Sequence, residues 1–175
     1  GKDFCDCKNW KGTCILQEYY YNDKRPKGQR KSYISKIVKS VILESKVLIL
    51  SIAIPRKLAE DLSAPGSYVF IRKLDTMQFY DVPISVMKVD LENNVITLAI
   101  EIRGIKTKNL VSLQKGDSIL VRGPFWNGIF GLNNIFNLKK SKAIVVARGI
   151  GAAPSVPVIE KLIANGNQLL FILDK

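Results

Sequence analysis

Gly149 and Gly151 stand in "ARGIGAAP", after the apolar run "KAIVVA" and before a stretch whose Val156, Ile159, Leu162 and Ile163 recur at helical spacing. A strand that turns through glycines into a helix brings unpaired backbone N–H groups and the positive end of a helix dipole to one point. That is the chemistry of an anion site, above all for phosphate. Glycine lets the backbone approach the anion with no Cβ in the way. The third glycine of G-x-G-x-x-G is here Pro154, so the dinucleotide fingerprint is incomplete and a plain strand-to-helix turn is an equal reading. Ser155 is placed to cap the helix and Pro157 to sit in its first turn. Asp174 ends the next apolar run, where an acid can hold a ribose; a surface acid is the simpler reading.

Histidine is absent from the 175 residues. That removes His-dependent triads, His-ligated zinc and His general bases. Cys5, Cys7 and Cys14 give C-x-C-x6-C; with no secretory signal before them a disulfide framework is not expected. Three thiolates are one ligand short of a zinc or iron–sulfur site, so a metal here needs a fourth ligand from elsewhere, and a reduced cysteine cluster is the alternative. The net charge is +12, and "KRPKGQRKSYISKIVK", Lys24 to Lys39, reads as a basic linker. No aromatic-interleaved motif of the kind RNA-binding sheets use accompanies it. A solvated basic face, or docking to an acidic partner or cofactor, accounts for the charge better than nucleic acid.

The elements that must position these groups separate into three regions: a cysteine-containing and basic segment, 1–33; strand text, 34–138; and a strand–helix–strand unit, 139–175. "KVLILSIAI" suits a buried strand, and in "VITLAIEIR" the residues Ile96, Leu98, Ile100 and Ile102 share one face at period two. Turn signals at Pro65-Gly66, Asn93-Asn94, Gly116-Asp117, Gly123-Pro124 and Asn127-Gly128 divide short strands, the pattern of a small antiparallel barrel. Short helices are expected near Arg56 to Leu62 and Asn109 to Leu113. In the last region Asn165-Gly166 supplies a helix stop before "QLLFIL". The fold class is therefore a β barrel followed by the β-α-β start of a parallel sheet. Two strands and a helix are small for a nucleotide-binding domain, and Gly1 stands where Met is usual, so a truncated chain is expected. No run approaches the roughly 18–20 apolar residues of a membrane span, and a cytoplasmic protein is the default.

The order of barrel and then G-x-G-x-A-P resembles the ferredoxin–NADP reductase superfamily, most of all the electron-transfer subunits of dihydroorotate dehydrogenase and sulfide dehydrogenase. "APGSYVFIR", "VPISV", "IEIRGIKTKNL", "GDSILVRGPFWNGIF" and "ARGIGAAP" carry the resemblance, in the family's order. It implies a six-stranded barrel holding FAD, an NAD(P) domain, and hydride transfer between the two cofactors with electrons passed to an iron–sulfur centre or a ferredoxin-like or partner-subunit acceptor. The family's Arg-x-x-Ser flavin motif falls on Val82-Pro83-Ile84-Ser85, so Pro83 and Ser85 are carried over while Val82 replaces the phosphate-pairing arginine. The resemblance further implies that Gly104 and Thr107 approach the flavin pyrophosphate, and that Gly149, Gly151, Ala153 and Pro154 begin the nicotinamide-nucleotide site. Lys106 or Arg103 is expected to supply the missing charge, ahead of Arg72. "GPFWNGIF" matches the segment that ends the family's barrel, with a place in the interdomain cleft. The family's cluster ligands lie near its C-terminus, so Cys5, Cys7 and Cys14 are not their counterparts.

Two other functions stay open on the sequence. One is a degenerate, non-catalytic interaction module on the same fold, which Val82 and the short second unit favour. The other is a basic nucleic-acid-binding barrel.

Overall fold

The computed structural model describes residues 31–174, together with Lys24. Six strands close an antiparallel barrel: β1 Lys31–Ile42, β2 Val47–Ala53, β3 Tyr68–Lys73, β4 Val82–Asp90, β5 Val95–Glu101 and β6 Ser118–Phe125. Their order around it is β1-β2-β5-β4-β3-β6. Period-two alternation dictates the inside: Leu48, Leu50 and Ile52 of β2 face Ile100, Leu98 and Ile96 of β5, and all six are fully buried. Each such side chain contributes about 1.5–3 kcal/mol by leaving water. Helix α1, Arg56–Asp61, adds Leu58 and Ala59 to the same core, and Leu110 and Leu113 add to it from the β5–β6 connection.

Three elements differ from the sequence reading. The end of the basic linker, from Lys31 onward, is strand β1. Its inward positions include Ser35, 5% exposed, while Ile34 points out at 72%; the apolar alternation is inverted there, and the polar text hides a strand. The helix expected near Asn109 to Leu113 lies one turn earlier, as α2, Ile105–Lys108. The Thr107 hydroxyl accepts the N–H groups of Arg103 and Gly104 at 3.0 and 3.2 Å and so starts it there.

After helix α3, Leu132–Asn137, strand β7, Lys142–Arg148, runs parallel to β8, Gln168–Asp174. Between them a 3-10 turn, Gly149–Gly151, passes directly into helix α4, Ala152–Ala164. Here lies the third difference. The helix begins at Ala152, so Pro154 takes the first turn and Pro157 lies inside. Ser155 therefore does not cap; its hydroxyl donates to the Ala152 carbonyl at 2.7 Å. Gly166, φ +77°, ends the helix as expected, and its N–H reaches the Ile163 carbonyl at 2.8 Å. Ala153 and Leu162 are buried while Ile163 is exposed, because the helix packs on β4 rather than only on its own sheet. No helix among the described residues is long and apolar enough to cross a membrane.

Candidate functional site

The barrel and the parallel unit meet around a cavity of about 600 Å³. One wall is β4, from Val82 to Ser85, with the end of β5, Ala99 to Glu101. The floor is the turn Arg103 to Thr107, and the far wall is Ile150, Gly151, Ala153 and Pro154. Every binding residue expected from the sequence lines this cavity except Gly149. Pro83, Ser85, Arg103, Gly104, Lys106 and Thr107 come from the barrel, and Gly151, Ala153 and Pro154 from the strand-to-helix turn. Gly149 lines a neighbouring cavity of about 530 Å³ with Glu101, Leu173 and Asp174.

Local chemistry explains each placement. Gly149 has φ +52°, a left-handed conformation that side chains resist. A Cβ added at Gly104 or Gly151 would meet nothing within 4 Å, so both backbones open on free space. Thr107 ties its turn by donating from its hydroxyl to the Gly104 carbonyl at 3.1 Å. Val82 belongs to the barrel core as well as to the cavity wall, so here a packing side chain stands where a charge was expected.

Of the three cations considered, two line the cavity. Arg103, 80% exposed, pairs with Glu101 at 2.9 Å. Lys106 places its amine 4.5 Å from the centre of the Phe79 ring. Arg72 is engaged elsewhere: Asp81, almost fully buried, holds it at 3.0 Å and Arg122 at 2.9 Å. Surface pairs such as Arg103–Glu101 are worth about 0–1 kcal/mol, so Arg103 is readily drawn to a better anion. Asp174 is paired with Arg148 at 3.2 Å.

Along the face of β4 that Pro83 and Ser85 share lies a further cavity, whose Tyr68 and Phe70 the sequence reading missed. Pro83 and Ser85 also border a cavity of about 330 Å³ with Tyr68, Phe70, Asn127 and Gly128. Tyr68 stacks on Phe125 at 5.0 Å and donates its hydroxyl to Asn127 Oδ1 at 2.9 Å. Asn127-Gly128 is not a hairpin turn: the Gly128 N–H bonds the Gly66 carbonyl at 3.0 Å, and a Cβ at Gly128 would meet that oxygen at 2.8 Å. Trp126 packs back on α1 and donates its indole N–H to the Asp61 carbonyl. Glu101, too, was unforeseen, since only the fold brings the end of β5 to the site. Among the described residues no cluster of His, Cys, Asp and Glu could hold a metal; Cys5, Cys7 and Cys14 lie outside them.

A closed six-stranded barrel with a parallel strand–helix–strand unit packed against it is also found in solved structures. An NADH-dependent reduced ferredoxin–NADP oxidoreductase matches 84% of this chain and 49% of its own, with TM-score 0.68 and 23% identity. The fold is that of the ferredoxin reductases. Ferredoxin–NADP+ reductase from Neisseria gonorrhoeae, solved with FAD and NADP, shares this reductase fold at TM-score 0.60 and 17% identity over 82% of this chain and 58% of its own. Phthalate dioxygenase reductase, described as transferring electrons from pyridine nucleotides to [2Fe-2S], shares it at 0.58 and 19%, over 81% and 42%. In sequence, this reductase-fold chain is similar to the electron transfer subunit of dihydroorotate dehydrogenase B (NAD(+)) from Bacillus cereus strain B4264. The two are 29% identical over 121 residues, 66% of this chain and 44% of the relative. The Bacillus anthracis CDC 684 subunit is 28% identical over the same coverage. The chain thus spans less than half the length of the curated relatives it matches. No protein-family profile matches it.

Proposed function

We propose that this chain is the cofactor-holding part of an NAD(P)H-linked flavin oxidoreductase or electron-transfer subunit, with FAD along β4 and a nicotinamide nucleotide at the Gly149 to Pro154 turn. The observation that carries it is the shared cavity: the barrel residues and the turn residues face one another across a single space. FAD, when bound there, would supply hydride exchange with NAD(P)H and passage of electrons onward to an iron–sulfur or protein acceptor.

The residues present suit both guests. Val82, Pro83, Ile84, Ala99 and Ile100 make an apolar wall that sheds water from a flat ring. Ser85 offers a hydroxyl on that wall. Arg103 and Lys106 bring positive charge to the open backbone at Gly104, where a diphosphate needs it. The N-terminal turn of α4 presents backbone N–H groups to a second phosphate, with Gly151 leaving it room. The large positive net charge fits both polyanionic cofactors and an acidic acceptor protein.

The test is uptake of FAD by the full chain, followed by flavin absorbance and fluorescence after anaerobic purification. Saturable, stoichiometric FAD binding is expected; its absence overturns the flavin reading. Val82 supports one second reading, a module that keeps the fold and has lost the chemistry. Reduction of an artificial acceptor by NAD(P)H, measured on a chain as long as the relatives, would dispose of that reading.

A further inference from the structure

We propose that the ion triad of Asp81, Arg72 and Arg122, one aromatic ring away from the smaller cavity, sets how readily a flavin lying along β4 is reduced. This rests on the flavin reading above and adds to it a source of redox tuning outside the cavity walls.

Asp81 is the residue just before Val82, where the chain leaves a 3-10 turn at Gln78–Tyr80 for β4. Its carboxylate holds arginines from two other strands at once. Arg72 of β3 stands 3.0 Å from Oδ1, and Arg122 of β6 sends both its Nε and its Nη2 to Oδ2, at 3.2 and 2.9 Å. Arg72 also donates to the Thr76 carbonyl. The side chains of Asp81, Arg72 and Arg122 are 9%, 20% and 28% exposed, so water and salt screen them little. Two guanidiniums against one carboxylate leave one positive charge.

That charge sits on the aromatic side of the smaller cavity. The Arg122 guanidinium carbon is 4.5 Å from the centre of the Phe70 ring. Phe70 lines the cavity of about 330 Å³ with Ser85 and with Pro83, its cross-strand partner on β4. Pro83 and Ser85 also belong to the main cavity, so the triad stands one ring from the surface that both cavities share. A buried ion triad is a poor source of stability, since taking the charges out of water costs about as much as their pairing returns. What it supplies instead is a fixed potential. A flavin that takes a hydride from NAD(P)H gains one negative charge, and the nicotinamide is left with one positive charge more. The surplus charge of the triad therefore favours the reduced ring over the oxidised one.

The experiment loads the full chain with FAD and measures the midpoint potential of the bound flavin at neutral pH, by reductive titration against a reference dye. Arg122→Gln should lower the ratio of reduced- to oxidised-flavin affinity about tenfold, the size of one weakly screened charge, and so move the potential to more negative values. Asp81→Asn, which removes a negative charge, should move it the other way. Arg122→Lys keeps the charge and should leave the potential at its wild-type value, whatever it does to FAD affinity. Circular dichroism checks each fold; should Asp81→Asn not fold, the two Arg122 variants decide. An unchanged potential in Arg122→Gln, or an equal shift in Arg122→Lys, overturns the proposal. So do shifts in the same direction for Arg122→Gln and Asp81→Asn, because a triad that serves the fold alone does not read the sign of the charge. A full chain that takes up no FAD overturns the flavin reading itself, and this inference with it.

Discussion

If the turn after β7 holds a nucleotide as proposed, its two glycines serve it for different reasons. Gly149 is needed for its backbone, at φ +52°, and Gly151 for the space before it. Gly149→Ala should destabilise the chain by about 1–2 kcal/mol, seen as a lower denaturation midpoint, whereas Gly151→Ala should leave stability alone. Both should weaken NAD(P)H binding, and equal stability losses would contradict the assignment. The charge that Val82 does not supply is expected from Arg103 and Lys106. Arg103→Gln should weaken FAD about fivefold in low salt, the size of one exposed charge-assisted contact, and the difference should shrink as salt is added. That Pro83, Ser85, Gly104, Thr107 and Gly151 come to one cavity was legible from the order of the motifs, in which glycine and proline mark where the backbone turns. Glu101 was not, since a glutamate ending a strand acquires meaning only from neighbours that the fold brings up.

Strands and helices set how firmly those residues are held. Leu98 lies fully buried opposite Leu50 at the middle of β5. Leu98→Ala should cost about 2–5 kcal/mol by the cavity it leaves, measured by chemical denaturation. Where barrel passes to parallel unit, two asparagines join separate elements. Asn165 donates to the carbonyls of Ile135, Phe136 and Leu138. Asn167, buried, accepts the Ser141 N–H at 2.9 Å and donates to the carbonyls of Leu138 and Leu162. Asn167→Ala should strip these partners at about 1–3 kcal/mol, and amide exchange at Ser141 should rise first. The sequence showed Asn165-Gly166 as a helix stop and nothing more, because a side chain bonding to backbone 26 to 30 residues away leaves no local pattern. The barrel strands β2 and β5 were plain in the sequence, being buried on one face throughout. β1 was not, since its outward Ile34 and inward Ser35 reverse the usual order.

At the scale of the whole molecule the two halves are unequal. The barrel closes on itself and leaves no open edge, whereas β7 and β8 form a sheet of two strands. Ile144 and Val146 of β7 and their partners Leu170 and Ile172 of β8 lie on one exposed face. An apolar face of this kind binds hydrophobic dyes and favours self-association. The chain should therefore enhance the fluorescence of anilinonaphthalene sulfonate, and Val146→Ser with Ile172→Ser should reduce that signal without altering the barrel's denaturation midpoint. We propose that in a chain as long as the curated relatives further sheet and helix cover this face.

The contact between Gly128 and Gly66 sets more than a turn. Backbone rests on backbone there, with no side chain between, and the segment that leaves it carries the second half of the site. The contact acts as a shim under the segment that runs from β6 towards β7. A methyl group at position 128 would press on the Gly66 carbonyl and push that segment off the barrel, while every residue of the main cavity kept its identity. If the proposed function holds, such a protein would bind each cofactor by itself and couple them slowly.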